Sequence, residues 1–336
     1  MLQDTAHHFS TQGSIIDISD SSSSEVKPNA SAIMPWLRLM RLPTVFTALA
    51  NVLCGYYVSS ANNDLPIFAA TPSFWLLLLS SAGLYLGGMV LNDVFDSELD
   101  SVERPERPIP SGAISKTKAA IFGCLLMGVG IVAAGLAGQI SGNGTASIGV
   151  AIILTAAVIL YDSFLKSTIL GPVGMASCRF LNIMLGASCC GDWGHVFANP
   201  QLGIAIALGI YVFGITWFAR NEAGDSTRLA LSTGLMIALC GIGLNLWSTL
   251  NSATSNGMGA SIALSLVAAN VFIRCTRAIK ANQSILLQKT VGFMLLNIIF
   301  MDAAMVFFAT GSGRLATTVV ILVIPATLMK RFIPLS

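Results

Sequence analysis

The chain has 336 residues, of which 54% are hydrophobic and only 10% are charged, and its mean hydropathy is +0.76. Soluble domains carry about 25% charged residues, so the composition excludes an ordinary soluble globular protein. It predicts an all-α polytopic membrane protein, because helices satisfy their backbone hydrogen bonds internally. The 18 basic and 16 acidic residues leave a net charge of +2, and we predict no nucleic-acid partner.

Residues 1–32 differ in composition from the rest of the chain. Serine is frequent from Gln12 to Ser31, with an unbroken run from Ser21 to Ser24, and apolar residues are too few to form a core. We expect a disordered tail. It is not expected to be a signal peptide, because no basic segment leads into an apolar stretch near Met1. Residues 33–336 are expected to form one transmembrane domain.

Apolar segments long enough to cross a bilayer follow one another through this domain. In chain order they are 43–60, 74–92, 117–139, 146–162, 171–188, 201–219, 229–248, 258–275, 288–309 and 315–331. The sequence predicts nine or ten spans, because only residues 310–314 separate the last two segments.

The basic residues predict the orientation of the bundle. If the N-terminus is cytoplasmic, 16 of the 18 Lys and Arg residues lie on the cytoplasmic side; the exceptions are Arg314, in an outer loop, and Arg179, within a span. Cytoplasmic loops of membrane proteins are enriched in Lys and Arg. The loops after the second, fourth and sixth spans therefore face the cytoplasm, and they hold most of the unusual polar residues.

Six of the 16 acidic residues lie between Asp93 and Glu106, directly after the second span. Asp93, Asp96 and Asp100 have the spacing i, i+3, i+7, which places them on one side of a continuing helix. Carboxylates so close to one another and to lipid repel, and Mg²⁺ carrying a phosphate ligand would offset that repulsion. Asn92 would bind a phosphate oxygen or orient an aspartate. The alternative is a solvated acidic helix end, although such a stripe opposes the dipole at a helix C-terminus.

A proline-rich segment from Arg104 to Gly112 follows this stripe. Its three prolines predict a stiff, non-helical lid. Arg104 and Arg107 would reach diphosphate oxygens, which guanidinium groups bind well. Alternatively, the two arginines only mark the cytoplasmic side of the membrane.

Asn-Asp-x-x-Asp-x-x-x-Asp at residues 92–100, followed by Arg-Pro-x-Pro-Ser-Gly at residues 107–112, resembles the UbiA superfamily of intramembrane prenyltransferases. The resemblance implies a helical bundle with a lateral opening to lipid. It implies Mg²⁺-dependent transfer of a prenyl group from an isoprenyl diphosphate to an aromatic or other activated lipophilic acceptor. Asp93, Asp96 and Asp100 would then bind Mg²⁺, and Asp96 would also act in catalysis. The implied partners are the diphosphate donor, the acceptor and membrane lipid.

The end of the fourth span adds to the resemblance. The segment from Tyr161 to Lys166 resembles the Tyr-x-x-x-Leu-Lys element of the superfamily. By that resemblance Lys166 would bind the diphosphate and Tyr161 would line the pocket near the reacting carbon, and both would be catalytic. The alternative is that Tyr161 is an interfacial tyrosine of the membrane belt.

Three of the polar residues inside predicted spans carry predictions about the site. Arg179 and Asn182 in the fifth span are spaced i, i+3, and residues 178–186 resemble UbiA-like proteins of the bacterial Ebo clusters. An arginine within a span requires an anionic partner, and we expect Arg179 and Asn182 to bind the diphosphate, or Arg179 to pair with Asp162. Asp302 in the ninth span would either handle the acceptor or a proton, or form a hydrogen bond between helices.

The second motif of the superfamily, Asp-x-x-x-Asp after the sixth span, is altered in this chain. Asp225 matches the last position and is expected to bind Mg²⁺, whereas Asn221 replaces the first aspartate. Asn221 would still contact the site through its carbonyl oxygen, or Glu222 would replace the missing carboxylate. This departure motivates an alternative function, a UbiA-like membrane protein that binds or transports a lipid-like metabolite without prenyl transfer.

Overall fold

The computed structural model describes residues 33–61, 71–143, 145–220, 227–252 and 254–332. The predicted tail, residues 1–32, and the second-motif residues Asn221, Glu222 and Asp225 lie outside these ranges. The described residues form helices joined by turns and contain no strand, and the prediction of an all-α membrane bundle is confirmed.

Fourteen α-helices follow one another in the described part of the chain. They are α1 Met34–Leu39, α2 Val45–Ala61, α3 Pro72–Phe95, α4 Ser97–Glu103, α5 Lys116–Ser141, α6 Ala146–Ser163, α7 Gly171–Ala187, α8 Trp193–Val196, α9 Gln201–Arg220, α10 Arg228–Leu250, α11 Ser255–Ala281, α12 Ser284–Thr310, α13 Gly313–Val320 and α14 Val323–Phe332. Short 3₁₀ turns at Leu42–Thr44 and Leu165–Ser167 precede α2 and α7.

Nine segments of the described chain are long and apolar enough to cross a membrane. Helix α7 is not among them: it has 17 residues, about 25 Å of length, against a hydrocarbon core of about 30 Å. Helix α7 still crosses the bundle. Its first residue, Gly171, packs against the turn at Lys166, and Ser188 beyond its last residue donates to Ser147 at the start of α6 (2.9 Å). All ten predicted segments therefore correspond to helices that traverse the bundle.

The last crossing consists of two helices. Helix α13 ends at Val320 and α14 begins at Val323. The Thr318 hydroxyl in α13 donates to the Tyr57 hydroxyl at 3.4 Å, and α14 packs against the 3₁₀ turn that precedes α2. The chain thus returns to the end of the bundle at which α2 begins.

Local sequence signals fix several helix ends. The Ser115 side chain accepts a hydrogen bond from the Lys118 amide (3.4 Å) at the start of α5, and Thr227 accepts one from the Ala230 amide (3.3 Å) at the start of α10. Such side chains satisfy amides that have no partner within the helix. Helix α5 is followed directly by Gly142, whose φ of 73° is a left-handed conformation that favours glycine.

Helices α2 and α7 approach each other through glycine. A Cβ atom at Gly55 in α2 would overlap the carbonyl oxygen of Ile183, and one at Gly186 in α7 would overlap the carbonyl oxygen of Val52. Small residues permit this close approach of two membrane helices, where packing replaces the hydrophobic effect as the source of stability. The two backbones are therefore in direct contact and pack as one unit.

Replacing Gly186 with Val is expected to destabilise the protein by about 3 kcal/mol, because the added side chain must separate two backbones. Thermal unfolding of the detergent-solubilised protein would measure the change. Gly128→Val is the matched control, since a Cβ atom at Gly128 in α5 meets nothing within 4 Å. Equal unfolding temperatures for the two variants would contradict the assigned role of the α2–α7 contact.

Candidate active site at one end of the bundle

The predicted acidic stripe lies where α3 passes into α4. The Asp96 amide donates to the Asn92 carbonyl (2.9 Å), and the Asp100 amide donates to the Asp96 carbonyl (2.8 Å). Helical hydrogen bonding thus continues through the joint, so Asp93, Asp96 and Asp100 share one side. Asp93 and Asp100 are buried, whereas Glu98 is exposed.

Three basic side chains from different parts of the chain meet these aspartates. Arg41 Nη2 lies 2.8 Å from Asp93 Oδ1, and Lys166 Nζ lies 2.6 Å from Asp96 Oδ1. Arg107 Nη1 lies 2.6 Å from Asp100 Oδ2 and 3.6 Å from Asp93 Oδ1. Arg107 and its two partners are almost completely buried, so these pairs are shielded from solvent. The structure thus balances three carboxylates with three cations.

The proline-rich segment is folded against the bundle. The Ser111 amide donates to the Arg107 carbonyl and the Ile114 amide donates to the Pro108 carbonyl, both at 3.0 Å. Ile114 is buried in a small apolar cluster, which anchors the segment on α1, α3 and α5. This packing directs Arg107 into the acidic stripe. Arg104, by contrast, is exposed and forms no ion pair with the described residues.

The joint between α6 and α7 supplies the opposite wall of the site. Asn92 Nδ2 donates to Asp162 Oδ1 at 2.8 Å, which ties the stripe to the end of α6. Lys166 follows in the 3₁₀ turn, and Arg220 Nη1 holds this region by donating to the Thr168 carbonyl at 2.6 Å. The predicted residues Asn92 and Lys166 therefore lie together although 74 positions separate them.

A narrow apolar cavity leads from this charged end into the bundle, with free space of about 50 Å³. Tyr161 and Asp162 line it near the charged end, and aliphatic side chains of α3, α6 and α7 form its walls, including Leu84, Leu154 and Val158. The prediction that Tyr161 lines a pocket is consistent with this position. The cavity and the ion pairs together offer one polar and one apolar environment.

Arg179 and Asn182 lie deeper along the same cavity and do not contact the acidic stripe. Arg179 donates to Thr47 Oγ1 (3.0 Å) and Asn51 Oδ1 (3.2 Å), and its guanidinium carbon lies 5.2 Å from the centre of the Tyr85 ring. Asn182 Nδ2 donates to the Ala48 carbonyl at 2.7 Å. Both side chains thus pack against α2, away from the three carboxylates.

Asp302 takes part in the same buried network. Asn51 Nδ2 donates to Asp302 Oδ2 at 2.7 Å, while Asn51 Oδ1 accepts from Arg179. The amide of Asn51 therefore links an acid on α12 to a cation on α7. This matches the expectation of a hydrogen bond between helices for Asp302, and it joins an acid and an arginine in one network inside the bundle.

The donor set of the stripe suits a hard cation. No three His, Cys, Asp or Glu side chains in the described parts of the chain are arranged as a metal centre. The aspartates contact basic side chains. Asp93 and Asp100 nevertheless converge on one nitrogen atom of Arg107. Two carboxylates that face a common point, with Asp96 beside them, provide the oxygen ligands that Mg²⁺ prefers.

The sequence reasoning missed Arg41 as a site residue and treated it only as a charge beside the first span. Arg41 precedes the turn into α2 and has a left-handed φ of 46°. One signal was available: three closely spaced carboxylates need more cations than the neighbouring Arg107 supplies.

A membrane bundle with a charged site at the mouth of an apolar cavity defines a class of integral membrane proteins suited to amphiphilic ligands. A model of the UbiA prenyltransferase family matches residues 48–297. The chain belongs to this family, and the predicted family membership and multi-pass membrane architecture are confirmed.

Two curated relatives bear the name digeranylgeranylglyceryl phosphate synthase. The protein of Metallosphaera sedula is 33% identical over 163 residues, which cover 47% of this chain and 53% of that protein. The protein of Sulfolobus acidocaldarius is 30% identical over 185 residues, which cover 55% of this chain and 60% of that protein. The chain thus aligns with only slightly more than half the length of these relatives.

A solved structure shares the fold. A UbiA homologue from Archaeoglobus fulgidus, bound to DMAPP and Mg²⁺, superposes with a TM-score of 0.60 at 13% identity. The match covers 85% of this chain and 98% of that chain. At this level of identity the likeness establishes the common architecture.

Proposed function

We propose that this protein is a Mg²⁺-dependent intramembrane prenyltransferase, which transfers a prenyl group from an isoprenyl diphosphate to a lipophilic acceptor. The observation that carries the proposal is the meeting of Asp93, Asp96 and Asp100 with Arg41, Arg107 and Lys166 at the mouth of an apolar cavity. A diphosphate belongs at the charged end, and a hydrocarbon tail belongs in the cavity. Family membership and the names of the relatives support the same reaction.

Charge balance explains why the site would take Mg²⁺ together with the donor. Three basic residues already neutralise the three aspartates, so an added diphosphate needs further positive charge. Asp93, Asp96 and Asp100 would hold the ion, and Asp225 from the second motif is proposed as a further ligand. When bound, Mg²⁺ would neutralise charge on the leaving diphosphate. The neighbour from Archaeoglobus fulgidus is described as bound to both DMAPP and Mg²⁺.

The basic side chains would stabilise the leaving group. Breaking the carbon–oxygen bond of the donor places negative charge on the diphosphate, and preorganised cations stabilise charge where it develops. Arg107 and Lys166 are already held at the site by carboxylates. Asn92 would bind a phosphate oxygen, and Arg104 and Asn221 are proposed to contact the diphosphate from the lid and the second motif.

The cavity would protect the allylic cation that remains on the prenyl group. Aliphatic walls exclude the water that would otherwise capture the cation. The Tyr161 side chain lines the cavity next to Asp162, and an aromatic face stabilises a cation through its quadrupole. We propose Tyr161 as the residue nearest the reacting carbon, with Arg179 and Asn182 marking the far end of the ligand space.

For the acceptor we propose an aromatic or other activated lipophilic molecule. The names of the relatives add lipids of the glyceryl phosphate type to the acceptors worth testing. We further propose that the N-terminus and the active-site loops are cytoplasmic, because 16 of the 18 Lys and Arg residues lie on that side in the predicted topology. A bilayer-impermeant thiol reagent applied to intact cells would test the orientation at a cysteine introduced in place of the exposed Glu98.

Chelation of Mg²⁺ is expected to abolish prenyl transfer. Membranes containing the protein would be incubated with labelled geranylgeranyl or farnesyl diphosphate and with aromatic and glyceryl phosphate acceptors, with and without EDTA. Product formation should disappear with EDTA and return when Mg²⁺ is added in excess, because the diphosphate then regains its counter-charge. Product formation that EDTA leaves unchanged would refute the proposal.

A second candidate function is binding or transport of a lipid-like metabolite without prenyl transfer. Two observations favour it: the first-motif aspartates are all ion-paired with basic side chains, and Asn221 replaces an acid in the second motif. Mass spectrometry of lipids and diphosphates that copurify with the protein would discriminate. A bound lipid, without turnover of any diphosphate donor, would support this candidate against the first.

A further inference from the structure

A second groove lies between α11 and α12, separate from the active-site cavity, and α13 closes one of its ends. Its volume is about 540 Å³, and none of its lining residues belongs to the cavity beside Tyr161. On α11 it runs from Gly259 to Arg274, a distance of about 22 Å along the helix axis. This length exceeds the roughly 15 Å of hydrocarbon in one leaflet, half of the bilayer core.

Small side chains open this groove. Each of the three helices contributes an alanine to its wall: Ala263 on α11, Ala303 on α12 and Ala316 on α13. These small side chains leave space between the larger Leu266 and Phe300. Leu266 is 63% exposed and Phe300 is 39% exposed, so the groove opens to the surface of the bundle. On a membrane helix that surface faces lipid, and a long apolar groove there suits an acyl chain.

A polar pair lies at one end of the groove. Asn270 and Arg274 are exposed and spaced i, i+4, which places them on one face of α11. Among the described residues neither side chain has a hydrogen-bond or ion-pair partner; the guanidinium carbon of Arg274 lies 4.1 Å from the centre of the Phe293 ring. The acid on the neighbouring helix, Asp302, is buried and bonded to Asn51. The cation at Arg274 is therefore open to a ligand.

The depth of Arg274 suggests the nature of that ligand. Arg274 lies seven residues before Ala281, the last residue of α11, which is about 10 Å along the axis. Arg277 and Lys280 lie nearer the helix end and suffice for the charge bias of a cytoplasmic loop. Arg274 lies one turn deeper on an exposed face of the helix, where its charge would attract the phosphate of an anionic lipid headgroup.

We propose that this groove binds an anionic membrane phospholipid, with its phosphate on Arg274 and Asn270 and one acyl chain along α11 and α12. Guanidinium groups bind phosphate through paired hydrogen bonds, and the groove removes the acyl chain from the mobile bilayer. The site is independent of the proposed prenyl transfer. It lies at the same end of the bundle as the ion pairs. Arg220 at the end of α9 contacts Thr168 beside the site, and the chain leaves that end through α10 and returns to it through α11.

Native mass spectrometry of the full-length protein would test this proposal. The protein would be titrated with phosphatidylglycerol and, separately, with phosphatidylcholine carrying identical acyl chains. Arg274→Leu should weaken phosphatidylglycerol binding at least about fivefold, and phosphatidylcholine should bind more weakly than phosphatidylglycerol to the unmodified protein. Arg277→Leu is the matched control on the same helix and should retain the affinity. Equal affinities for the two arginine variants would overturn the proposal.

A second variant tests the position of the acyl chain without changing a charge. Ala263→Trp should fill the groove and weaken phosphatidylglycerol binding to a similar extent, whereas the same change at the exposed Ala269 should not. Excess farnesyl diphosphate should leave bound phosphatidylglycerol in place. Displacement by farnesyl diphosphate, or a dimer whose contact covers Phe300, would assign the groove to another occupant and overturn the proposal.

Discussion

Replacing Asp96 with Asn is expected to slow prenyl transfer by about 10²- to 10³-fold. The change removes a proposed Mg²⁺ ligand. It also removes the anionic partner that holds Lys166, whose Nζ atom lies 2.6 Å from Asp96 Oδ1. The Asp96 and Lys166 side chains are both about one-fifth exposed, so water can solvate Lys166 in the variant and the fold should survive. The loss of the carboxylate should therefore appear in the rate of prenyl transfer. Initial rates of prenyl product formation at increasing Mg²⁺ concentration would measure it.

Glu98→Gln is the control for the loss of one negative charge in the same segment. Glu98 is exposed and has no ion-pair partner among the described residues. The Glu98→Gln variant should therefore transfer prenyl groups at a rate close to that of the unmodified protein. The Asp96→Asn variant should also need more Mg²⁺ for half-maximal activity. Similar rates for the two variants would remove Asp96 from the proposed site.

Replacing Asp100 with Ala is expected to destabilise the protein by about 3–5 kcal/mol, the usual cost of removing one partner from a buried ion pair. Arg107 is only 4% exposed. Its 2.6 Å contact to Asp100 would be lost, and among the described residues its ion pair with Asp93 at 3.6 Å would remain. Thermal unfolding of the purified protein in detergent would report the change.

The double variant Asp100→Leu/Arg107→Leu tests whether the lost stability comes from the buried charge of Arg107, because it removes both members of the close pair. Replacing both members of a buried pair with apolar side chains is often close to neutral, so the double variant should recover most of the stability. It should remain inactive, because Arg107 is proposed to bind the diphosphate. Glu103→Ala, an exposed change on the same helix, should have little effect. A double variant as unstable as Asp100→Ala would contradict the buried pair as the cause.

Most of the fold could be predicted because a membrane span is indicated by one continuous apolar stretch of the sequence. Nine of the ten apolar segments became one α-helix each and the last became two, since hydrocarbon leaves the backbone few other ways to satisfy its hydrogen bonds. The division of the last segment was missed although the sequence contained its cause. Pro325 lacks an amide hydrogen and clashes with the carbonyl four residues earlier, that of Ile321, and the break falls at residues 321–322.

The site could be predicted only where its residues are close in sequence. The pair Arg107–Asp100 spans seven positions, and the motif that contains it was readable. The pair Arg41–Asp93 spans 52 positions and the bond from Asn92 to Asp162 spans 70. These contacts depend on how α2 and α6 pack against α3, and helical periodicity contains no information about which helices become neighbours. The placement of Arg179 against Thr47 depends in the same way on the α2–α7 contact.

The glycine contact between α2 and α7 has a consequence for access to the site. Arg41 precedes the 3₁₀ turn that leads into α2, and Lys166 belongs to the turn that packs against Gly171 at the start of α7. The aspartates that they bind lie on the α3–α4 segment. Two helices in direct backbone contact move together, so we expect Arg41 and Lys166 to leave Asp93 and Asp96 in a single concerted event. Ligand entry would then be cooperative, because the ion pairs of Arg41 and Lys166 would open together.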